Sequence, residues 1–194
     1  MNLDLIIVFL YSYLLGSIPF GLIITKIFLK EDVRNIGSGN IGATNVLRTG
    51  KKSLAGFTLL FDVSKGYVSV FLTSIYFSEF IYLAALLCLL GHIFPIWLKF
   101  KGGKGVATYV GILFAINFYF GIVFIISWFV TFGISKFSSL SSLVAAASIP
   151  IYLLILNQFE QLIFFIIMFV LIFFTHRENI KRLKNKEETK TKIY

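Results

Sequence analysis

Two glycine-rich segments of this sequence combine hydrogen-bond donors with basic side chains. The first is GSGNIGATN at residues 37–45, which Arg48 follows, and the second is KGGKG at residues 101–105, which contains Lys104. Glycines let a backbone approach a phosphate closely, while amides, hydroxyls, an ammonium or a guanidinium supply donors and positive charge. Both segments are therefore candidate phosphate-binding loops.

Neither segment fits a nucleotide-binding motif. Residues 37–42 match G-x-G-x-x-G, and Asp62 lies 20 residues beyond them, but that fingerprint works only within the strand–turn–helix unit of a parallel sheet. Residues 101–105 lack the P-loop pattern, because Gly105 follows Lys104 where a serine or threonine is required. Two simpler explanations stay open: a flexible loop that caps the next helix for the first segment, and a basic loop that meets anionic head groups for the second.

Two further polar segments lie nearer the end of the chain, SSLSS at residues 138–142 and THRENIKR at residues 175–182. In the second, His176, Asn179 and Arg182 recur every three residues, so they share one face of a helix. An imidazole there is a candidate acceptor for a proton. The simpler explanation of this segment is a solvated basic tail.

Other polar residues within or beside apolar runs are expected to have structural roles. Asp62 and Lys65 are three residues apart, so they share a helix face and can neutralise each other. A lone histidine such as His92 is more often a structural hydrogen-bonding residue than a catalyst. The serines of residues 138–142 can donate hydrogen bonds or cap a helix that begins near Leu140, and the cap is the simpler expectation.

The composition places all of these residues in a membrane protein. Of 194 residues, 58% are hydrophobic and 14% are charged, and the mean hydropathy is +0.89, whereas about a quarter of a soluble domain is charged. The net charge of +9 comes from Lys and Arg between the apolar runs and in the tail, a pattern typical of membrane topology rather than of nucleic-acid binding. The sequence predicts one membrane domain over residues 1–194 and no nucleic-acid partner.

Most of the apolar runs are long enough to form transmembrane helices. Backbone polar groups have no partners in hydrocarbon, and the runs do not alternate in polarity, so the predicted fold is an all-α integral membrane protein. A polar break at Asn117 divides the longest run, which favours a compact bundle of about seven helices, with five as the alternative. The runs extend over Leu3 to Phe28, Leu54 to Phe77, Phe80 to Leu98, Val106 to Gly133, Leu140 to Leu156 and Leu162 to Thr175.

Basic residues between the runs predict the orientation. Six Lys and Arg lie between Lys26 and Ser53, three between Lys99 and Lys104, and seven after His176. Cytoplasmic loops carry the excess of Lys and Arg. The N-terminus is therefore expected outside and the C-terminus inside, with all four polar segments facing the cytoplasm.

Three motifs and the size of the chain resemble one known family. The motifs are SGNIGATN at residues 38–45, GHIFPIWLKFKGGKGVAT at residues 91–108, and a serine cluster followed by THREN at residues 175–179; LGSIP at residues 15–19 also matches. This combination resembles the bacterial acyl-phosphate:glycerol-3-phosphate acyltransferase family, PlsY. The resemblance covers almost the whole chain.

The resemblance implies transfer of a fatty acyl group from acyl phosphate to glycerol 3-phosphate, giving lysophosphatidic acid and phosphate in the first acylation of phospholipid synthesis. It also implies a multi-pass protein of the bacterial cytoplasmic (inner) membrane, surrounded by membrane lipid, with its active site facing the cytoplasm and with no cofactor or metal. A separate soluble enzyme is expected to supply the acyl phosphate. The catalytic candidates are Lys104, His176 and Asn179. The substrate-binding candidates are Gly37, Ser38, Gly39, Asn40, Gly42, Thr44, Asn45, Arg48, Gly102, Gly103, Ser139, Ser142 and Arg177.

The competing function is a small membrane transporter of phosphorylated metabolites, because basic, glycine-lined sites also suit the passage of anions. A transporter usually places its site near the bilayer midplane between inverted repeats. This sequence contains no repeated half, and its polar motifs are predicted on one face. A non-catalytic scaffold would explain the helices and leave the glycine–lysine motifs without a role.

Overall fold

The protein, seen in a computed structural model, is described over residues 3–191, and within that range it consists of helices joined by short connections. Three 3-10 helices, Val33–Asn35, Ser78–Phe80 and Ile96–Leu98, lie in the connections. The described residues contain no strand, in agreement with the predicted all-α fold. The α-helices are α1 (Leu3–Gly16), α2 (Phe20–Leu29), α3 (Ala43–Leu47), α4 (Lys52–Tyr76), α5 (Ile81–Ile93), α6 (Val106–Ile116), α7 (Phe118–Ser135), α8 (Ser138–Ile155), α9 (Phe159–Thr175) and α10 (Arg177–Lys184).

The helices group into two compact units. Residues 1–116 form the first unit, which contains α1 to α6, and residues 117–194 form the second, which contains α7 to α10. The single membrane domain that the composition suggests stays a prediction.

Five helical segments of the described chain are long and apolar enough to cross a bilayer, and the bent pair of α9 and α10 raises the number to six. The five are Leu3–Leu29, which combines α1 and α2, then α4, Ser78–Leu98, α7 and α8. The short apolar helix α6 completes the seven apolar segments expected from the sequence. At about 1.5 Å per residue α6 is only about 16 Å long, so its crossing of the bilayer stays a prediction, as does the orientation of the two termini.

The polar break predicted at Asn117 is confirmed. Helix α6 ends just before this residue and α7 begins just after it. The Oδ1 atom of Asn117 accepts a hydrogen bond of 2.8 Å from the backbone N–H of Tyr119. The side chain therefore caps α7, whose first N–H groups have no acceptor within the helix.

The first apolar run, expected as one helix from Leu3 to Phe28, contains two. Helices α1 and α2 flank Pro19, which has no N–H group and disfavours helical geometry at the residue before it. The break makes the carbonyl oxygen of Ile18 accessible, and Nζ of Lys65 donates a hydrogen bond of 2.8 Å to it. The interruption thus attaches α4 to the junction of α1 and α2.

In the first unit α4 packs closely against α6. A Cβ atom at Gly66 would overlap the carbonyl oxygen of Thr108, and one at Gly111 would overlap that of Val63. Small residues allow membrane helices to approach until their backbones touch, which maximises van der Waals contact. This contact holds α6, and with it the polar loop before α6, against α4.

A buried apolar cluster lies beneath the first polar loop. Ile41 and Val46 belong to it together with side chains from α2 and α4, and Leu98 packs against it. Leu98 is the last residue of the 3-10 helix that leads into the second polar loop. Both polar loops of the first unit therefore lie at the same end of that unit, as expected for a shared face.

Candidate active site

Asn45 holds the first polar loop together. Its side chain is 2% exposed, and its Nδ2 group lies 2.8–2.9 Å from the backbone carbonyl oxygens of Val33, Ile36 and Asn40. Its Oδ1 atom accepts a hydrogen bond of 3.0 Å from the N–H of Ser38. The carboxamide is therefore engaged within the loop, which gives Asn45 a positioning role, and the substrate contact expected of it stays a prediction.

Part of the backbone of this loop is used inside the protein, so the predicted phosphate cradle can include only the remaining N–H groups and stays a prediction. Successive N–H groups are expected to converge on an anion, but four of them have acceptors inside the protein, and that of Asn45 donates to the carbonyl of Gly42 at 2.9 Å. The N–H of Ser38 donates to Asn45, and that of Gly39 donates to the carbonyl of Ile36 at 3.0 Å. The N–H of Gly42 donates to the asparagine side chain two residues earlier, also at 3.0 Å. The donors are satisfied because a tight loop must pair its own amides.

The guanidinium of Arg48 lies over this loop. A Cβ atom at Gly37, whose φ is +52°, would come within 2.6 Å of Cδ and 2.8 Å of Nη1 of Arg48. No acidic side chain of the described residues forms an ion pair with Arg48, which is exposed. Ser38 and Thr44 are also exposed, so the polar surface of the loop consists of these hydroxyls and the guanidinium. That surface can bind an anion through side chains.

An ion pair fastens the loop at its beginning. Nη2 of Arg34 is 2.6 Å from Oδ2 of Asp32, and the N–H of Arg34 donates to Oδ1 at 3.0 Å. The side-chain hydrogen bond from Arg34, opposed by slight desolvation, lowers the pKa of Asp32 to about 2. The contact fixes the 3-10 helix that carries the Val33 carbonyl bound by Asn45.

Gly102 and Gly103 fit the second polar loop against the end of α5. Their N–H groups donate to the carbonyl oxygens of Ile93 and His92, each at 3.0 Å. A Cβ atom at Gly102 would come within 2.7 Å of the Ile93 carbonyl oxygen, and one at Gly103 would overlap the imidazole of His92. Their amides are therefore used inside the protein, and the substrate contact expected of these glycines stays a prediction. The glycines serve the packing of the loop.

Lys104 extends directly from this packed turn. Its side chain is half-buried, and the next residue, Gly105, has a φ of +84° and leads into α6. The turn before Lys104 is bonded to the end of α5, and α6 follows it, so the backbone is held on both sides. A lysine in such a position can present a point charge to a phosphate with little freedom to lose.

A buried ion pair lies within the first unit. Nζ of Lys65 is 2.8 Å from Oδ1 of Asp62, and both side chains are at most 3% exposed. Nδ1 of His92 lies 3.7 Å from the same carboxylate oxygen. This arrangement agrees with the structural roles expected for the three residues, and it joins α4 to the end of α5. Nowhere in residues 3–191 do three or more His, Cys, Asp or Glu side chains come together in a way that could hold a metal ion.

His176 lies at the bend between α9 and α10 in the second unit and is 2% exposed. Its Nδ1 atom is 2.8 Å from the carbonyl oxygen of Ile172 and 3.4 Å from Oγ1 of Thr175. A carbonyl oxygen only accepts, so Nδ1 carries a hydrogen, and in the neutral form of the ring the lone pair is on Nε2. The ring is thus oriented with Nε2 as its proton-accepting atom.

The serines at the start of α8 bond largely to their own helix. The helix begins at Ser138, two residues before the expected position, and its first turn has no side-chain cap. Oγ of Ser142 donates to the carbonyl of Ser138 at 2.9 Å and accepts a hydrogen bond of 3.2 Å from Nε1 of Trp128. The expected cap is wrong because these hydroxyls reach carbonyls one turn back. The hydroxyl hydrogen of Ser142 is therefore already used in a bond within α8.

Ser139 and Asn179 converge on one carboxylate. Oγ of Ser139 and Nδ2 of Asn179 each donate to Oε1 of Glu188 at 2.6 Å, and Nε of Arg182 donates to Oε2 at 2.7 Å. Partial burial raises the pKa of Glu188, but these three hydrogen bonds outweigh it and hold the pKa below its usual range. The predicted shared face of Asn179 and Arg182 is confirmed. Glu188 was not predicted, because it lies in a hydrophilic tail without a motif.

Arg177 does not join His176 and Asn179. Its side chain is exposed, its guanidinium carbon lies 4.7 Å from the centre of the Phe174 ring, and Nη1 donates to the carbonyl of the same residue at 3.3 Å. The helical repeat places adjacent residues about 100° apart, which directs Arg177 away from its buried neighbours. Arg177 thus packs on an aromatic face, and its substrate contact stays a prediction, while Arg182 supplies the guanidinium beside Asn179.

Comparison with known proteins finds similar proteins over almost the whole chain. A family model described as glycerol-3-phosphate acyltransferase matches residues 6–186. A glycerol-3-phosphate acyltransferase of Pelagibacter ubique is 66% identical over 99% of this chain and 100% of its own length. One of Rhodopseudomonas palustris is 53% identical over 93% of this chain and 92% of its own length.

Two solved structures have the same fold. One is PlsY, an integral membrane glycerol 3-phosphate acyltransferase, in its glycerol 3-phosphate form, with a TM-score of 0.90 and 35% identity over 95% of this chain and 94% of that chain. The other is PlsY in its lysophosphatidic acid form, with a TM-score of 0.87 and 34% identity over the same shares. The similarity thus extends over sequence and structure alike.

Proposed function

Because this chain belongs to the glycerol-3-phosphate acyltransferase family, we propose that it transfers a fatty acyl group from acyl phosphate to glycerol 3-phosphate. The products are lysophosphatidic acid and inorganic phosphate. The acyltransferase activity follows from the family, whereas the identity of the donor is inferred. Five residues after His92 stands Trp97, and five after His176 stands Lys181, so neither histidine begins the H-x-x-x-x-D motif of other acyltransferases. This absence from the sequence favours a donor other than acyl-CoA or acyl carrier protein.

The observation that carries the proposal is the pair of basic loops at one end of the first unit. Arg48 lies over Gly37, and Lys104 extends from the turn packed on His92. Two phosphorylated substrates bring roughly four negative charges to the edge of a low-dielectric bilayer, where unpaired charge is costly. We assign Arg48 to the donor phosphate and Lys104 to the acceptor phosphate.

The chemistry needs no nucleophilic side chain. The hydroxyl oxygen of glycerol 3-phosphate attacks the acyl carbonyl carbon, the new C–O bond forms, and the bond from that carbon to the phosphate oxygen breaks. Phosphate is already a good leaving group in this mixed anhydride, so positioning and charge stabilisation supply most of the catalysis. The sole cysteine, Cys88, is buried within α5.

His176 takes the hydroxyl proton in this scheme. Its Nδ1 hydrogen is directed at the carbonyl of Ile172, which leaves the lone pair on Nε2. A phosphate oxygen of the substrate is the other possible acceptor, and in that case His176 acts by hydrogen bonding alone. His176→Gln distinguishes the two, because an amide keeps hydrogen bonding but takes no proton, so turnover is retained only if the phosphate is the acceptor.

We further infer that the reaction takes place at the cytoplasmic side of the bacterial inner membrane. The support is the number of Lys and Arg in the loop from Lys26 to Ser53, in the loop from Lys99 to Lys104 and in the tail. A soluble enzyme that makes acyl phosphate is the expected partner on that side. Labelling of single cysteines introduced at Ser38 and Lys101 from either side of sealed vesicles tests this placement.

One assay tests the function. Purified full-length protein is given glycerol 3-phosphate with acyl phosphate, and acyl-CoA serves as the control donor. We expect lysophosphatidic acid from acyl phosphate only. Equal rates with acyl-CoA would overturn the donor assignment, and a competent covalent acyl-enzyme would overturn direct transfer. Uptake of glycerol 3-phosphate into proteoliposomes without acylation would instead support the transporter.

A further inference from the structure

The side-chain carboxylate of Glu188, in the segment after α10, is enclosed by hydrogen-bond donors in the way a bound anionic ligand is. Three different donor groups surround it: the hydroxyl of Ser139, the amide of Asn179 and the guanidinium of Arg182, at 2.6–2.7 Å. The side chain of Glu188 is 9% exposed and that of Arg182 is 36% exposed. The Oδ1 atom of Asn179 is buried beside them with no hydrogen-bond partner in the part of the chain that the structure describes.

The backbone brings the carboxylate to these donors. Just after α10 the chain reverses at Lys186, whose φ is +59°. The N–H of Glu187 then donates to the carbonyl of Arg182 at 2.8 Å, which closes the turn on α10. The reversal directs the next side chain, Glu188, toward Asn179 and Arg182. A defined turn therefore places the carboxylate of Glu188, and the donors that bind it are side chains of α8 and α10.

The donor set matches the chemistry of a phosphate site. Hydroxyl, amide and guanidinium groups bind a carboxylate or a phosphate oxygen by the same charge-assisted hydrogen bonds. A phosphate has more oxygens and more charge than a carboxylate, so its interaction with one guanidinium is stronger. Two anions cannot occupy these donors together, because the hydrogens would be shared and the charges would repel.

We propose that Ser139, Asn179 and Arg182 form an anion subsite that Glu188 occupies in the resting protein, so that a substrate phosphate binds there only after the carboxylate leaves. The inference rests on the proposed function, in which both substrates carry phosphate. It makes the segment after α10 an internal competitor and adds Arg182 to the groups that bind substrate. Apparent affinity falls in proportion to the fraction of molecules whose subsite is open.

Two variants of the full-length protein test the competition. Glu188→Gln removes the charge and keeps the shape, and Glu188→Ala removes the occupant. Glu187→Gln is the matched control, because Glu187 is exposed and contributes only its backbone to the turn. The first measurement is equilibrium binding of inorganic phosphate without donor or acceptor, and the second is the KM and kcat of acyl transfer.

With the subsite open in about one tenth of wild-type molecules, Glu188→Ala binds inorganic phosphate about tenfold more tightly. KM for a phosphate substrate falls and kcat is retained, while Glu187→Gln resembles the wild type. Adding Arg182→Gln to Glu188→Ala reverses the gain. Unchanged phosphate affinity in both Glu188 variants would overturn the proposal, as would a loss of kcat with unchanged KM, which indicates a positioning role. If Glu188→Ala binds phosphate more tightly but neither it nor the wild type transfers an acyl group, the result supports the anion subsite and refutes the acyltransferase function.

Discussion

The imidazole of His92 lies directly against the α-carbon of Gly103. A Cβ atom at position 103 would overlap Nε2 of His92 and come within 2.8 Å of its Cε1 atom. The N–H of the same glycine donates to the carbonyl of His92 at 3.0 Å. The residue before Lys104 is thus held by both the backbone and the side chain of one buried histidine.

Gly103→Ala is expected to disturb this contact. Overpacking of a close contact costs about 1–3 kcal/mol, and relief of the overlap must displace either His92 or the turn that carries Lys104. We expect a lower thermal unfolding midpoint together with a fall in kcat/KM of at least about tenfold. Gly56→Ala is the control, because a Cβ atom at Gly56 meets nothing within 4 Å. Wild-type stability and activity of Gly103→Ala would show that the turn is not packed in this way.

Lys104→Ala is expected to abolish turnover without preventing membrane insertion. Without the charge that positions the acceptor phosphate, the attacking hydroxyl is misplaced, which reduces kcat by at least about a hundredfold. Activity and the amount of protein in the membrane fraction are measured together. Lys101→Ala serves as the comparison, because Lys101 is exposed in the same loop. Near-normal turnover of Lys104→Ala would remove Lys104 from the site.

Arg48→Ala is expected to weaken substrate binding more than it slows chemistry. A charge-assisted hydrogen bond contributes about 1.5–3 kcal/mol, which corresponds to a rise in KM of about ten- to a hundredfold. Steady-state kinetics with each substrate varied in turn identifies which phosphate Arg48 contacts. Lys51→Ala removes an exposed positive charge three residues away and should leave both KM values within about twofold. Unchanged KM for both substrates in Arg48→Ala would contradict the assignment.

Asn45→Asp tests whether the side chain of Asn45 holds the first polar loop together. The substitution replaces the Nδ2 group with an oxygen facing the carbonyls of Val33, Ile36 and Asn40. Unsatisfied buried acceptors cost about 1–3 kcal/mol, so the loop should become sensitive to limited proteolysis, and KM should rise because Arg48 loses its support. Asn35→Asp is the control, because Asn35 is exposed on the same connection. A protease-resistant, fully active Asn45→Asp protein would show that Asn45 does not hold the loop.

The Asp32–Arg34 contact makes loop stability depend on pH. The pKa of Asp32 is lowered from 3.8 to about 2, chiefly by the side-chain hydrogen bond from Arg34. A lowered pKa means that the folded loop prefers the ionised carboxyl, so the stabilisation is fully present above 3.8 and is lost as pH falls through about 2. Proteolytic protection of the loop should decline over that window in the wild type and not in Asp32→Asn. Identical pH profiles of the two proteins would contradict the ion pair.

Several parts of the fold follow from local sequence alone. Runs of apolar residues identify membrane helices because the bilayer requires a certain length of continuous hydrocarbon contact. Asn117 divides its run because its side chain caps the next helix by accepting a hydrogen bond from the N–H of Tyr119, two residues later. Local sequence does not decide the effect of Pro19, because a proline in a membrane helix either kinks it or ends it, and the outcome depends on what satisfies the freed backbone groups. Here Lys65, from another helix, supplies a donor at this point.

Composition and apolar runs are enough to predict an all-helical membrane protein with basic, glycine-containing loops that suit phosphate, and the motifs are enough to identify its family. Only the tertiary structure decided what each loop group does. Internally paired amides are those of Ser38, Gly39, Gly42, Asn45, Gly102 and Gly103. Ser139 meets a carboxylate 49 residues away, and Arg177 packs on an aromatic ring. Residue type fixes whether a group can donate or accept, but its partner depends on which distant segments the fold brings within about 3 Å.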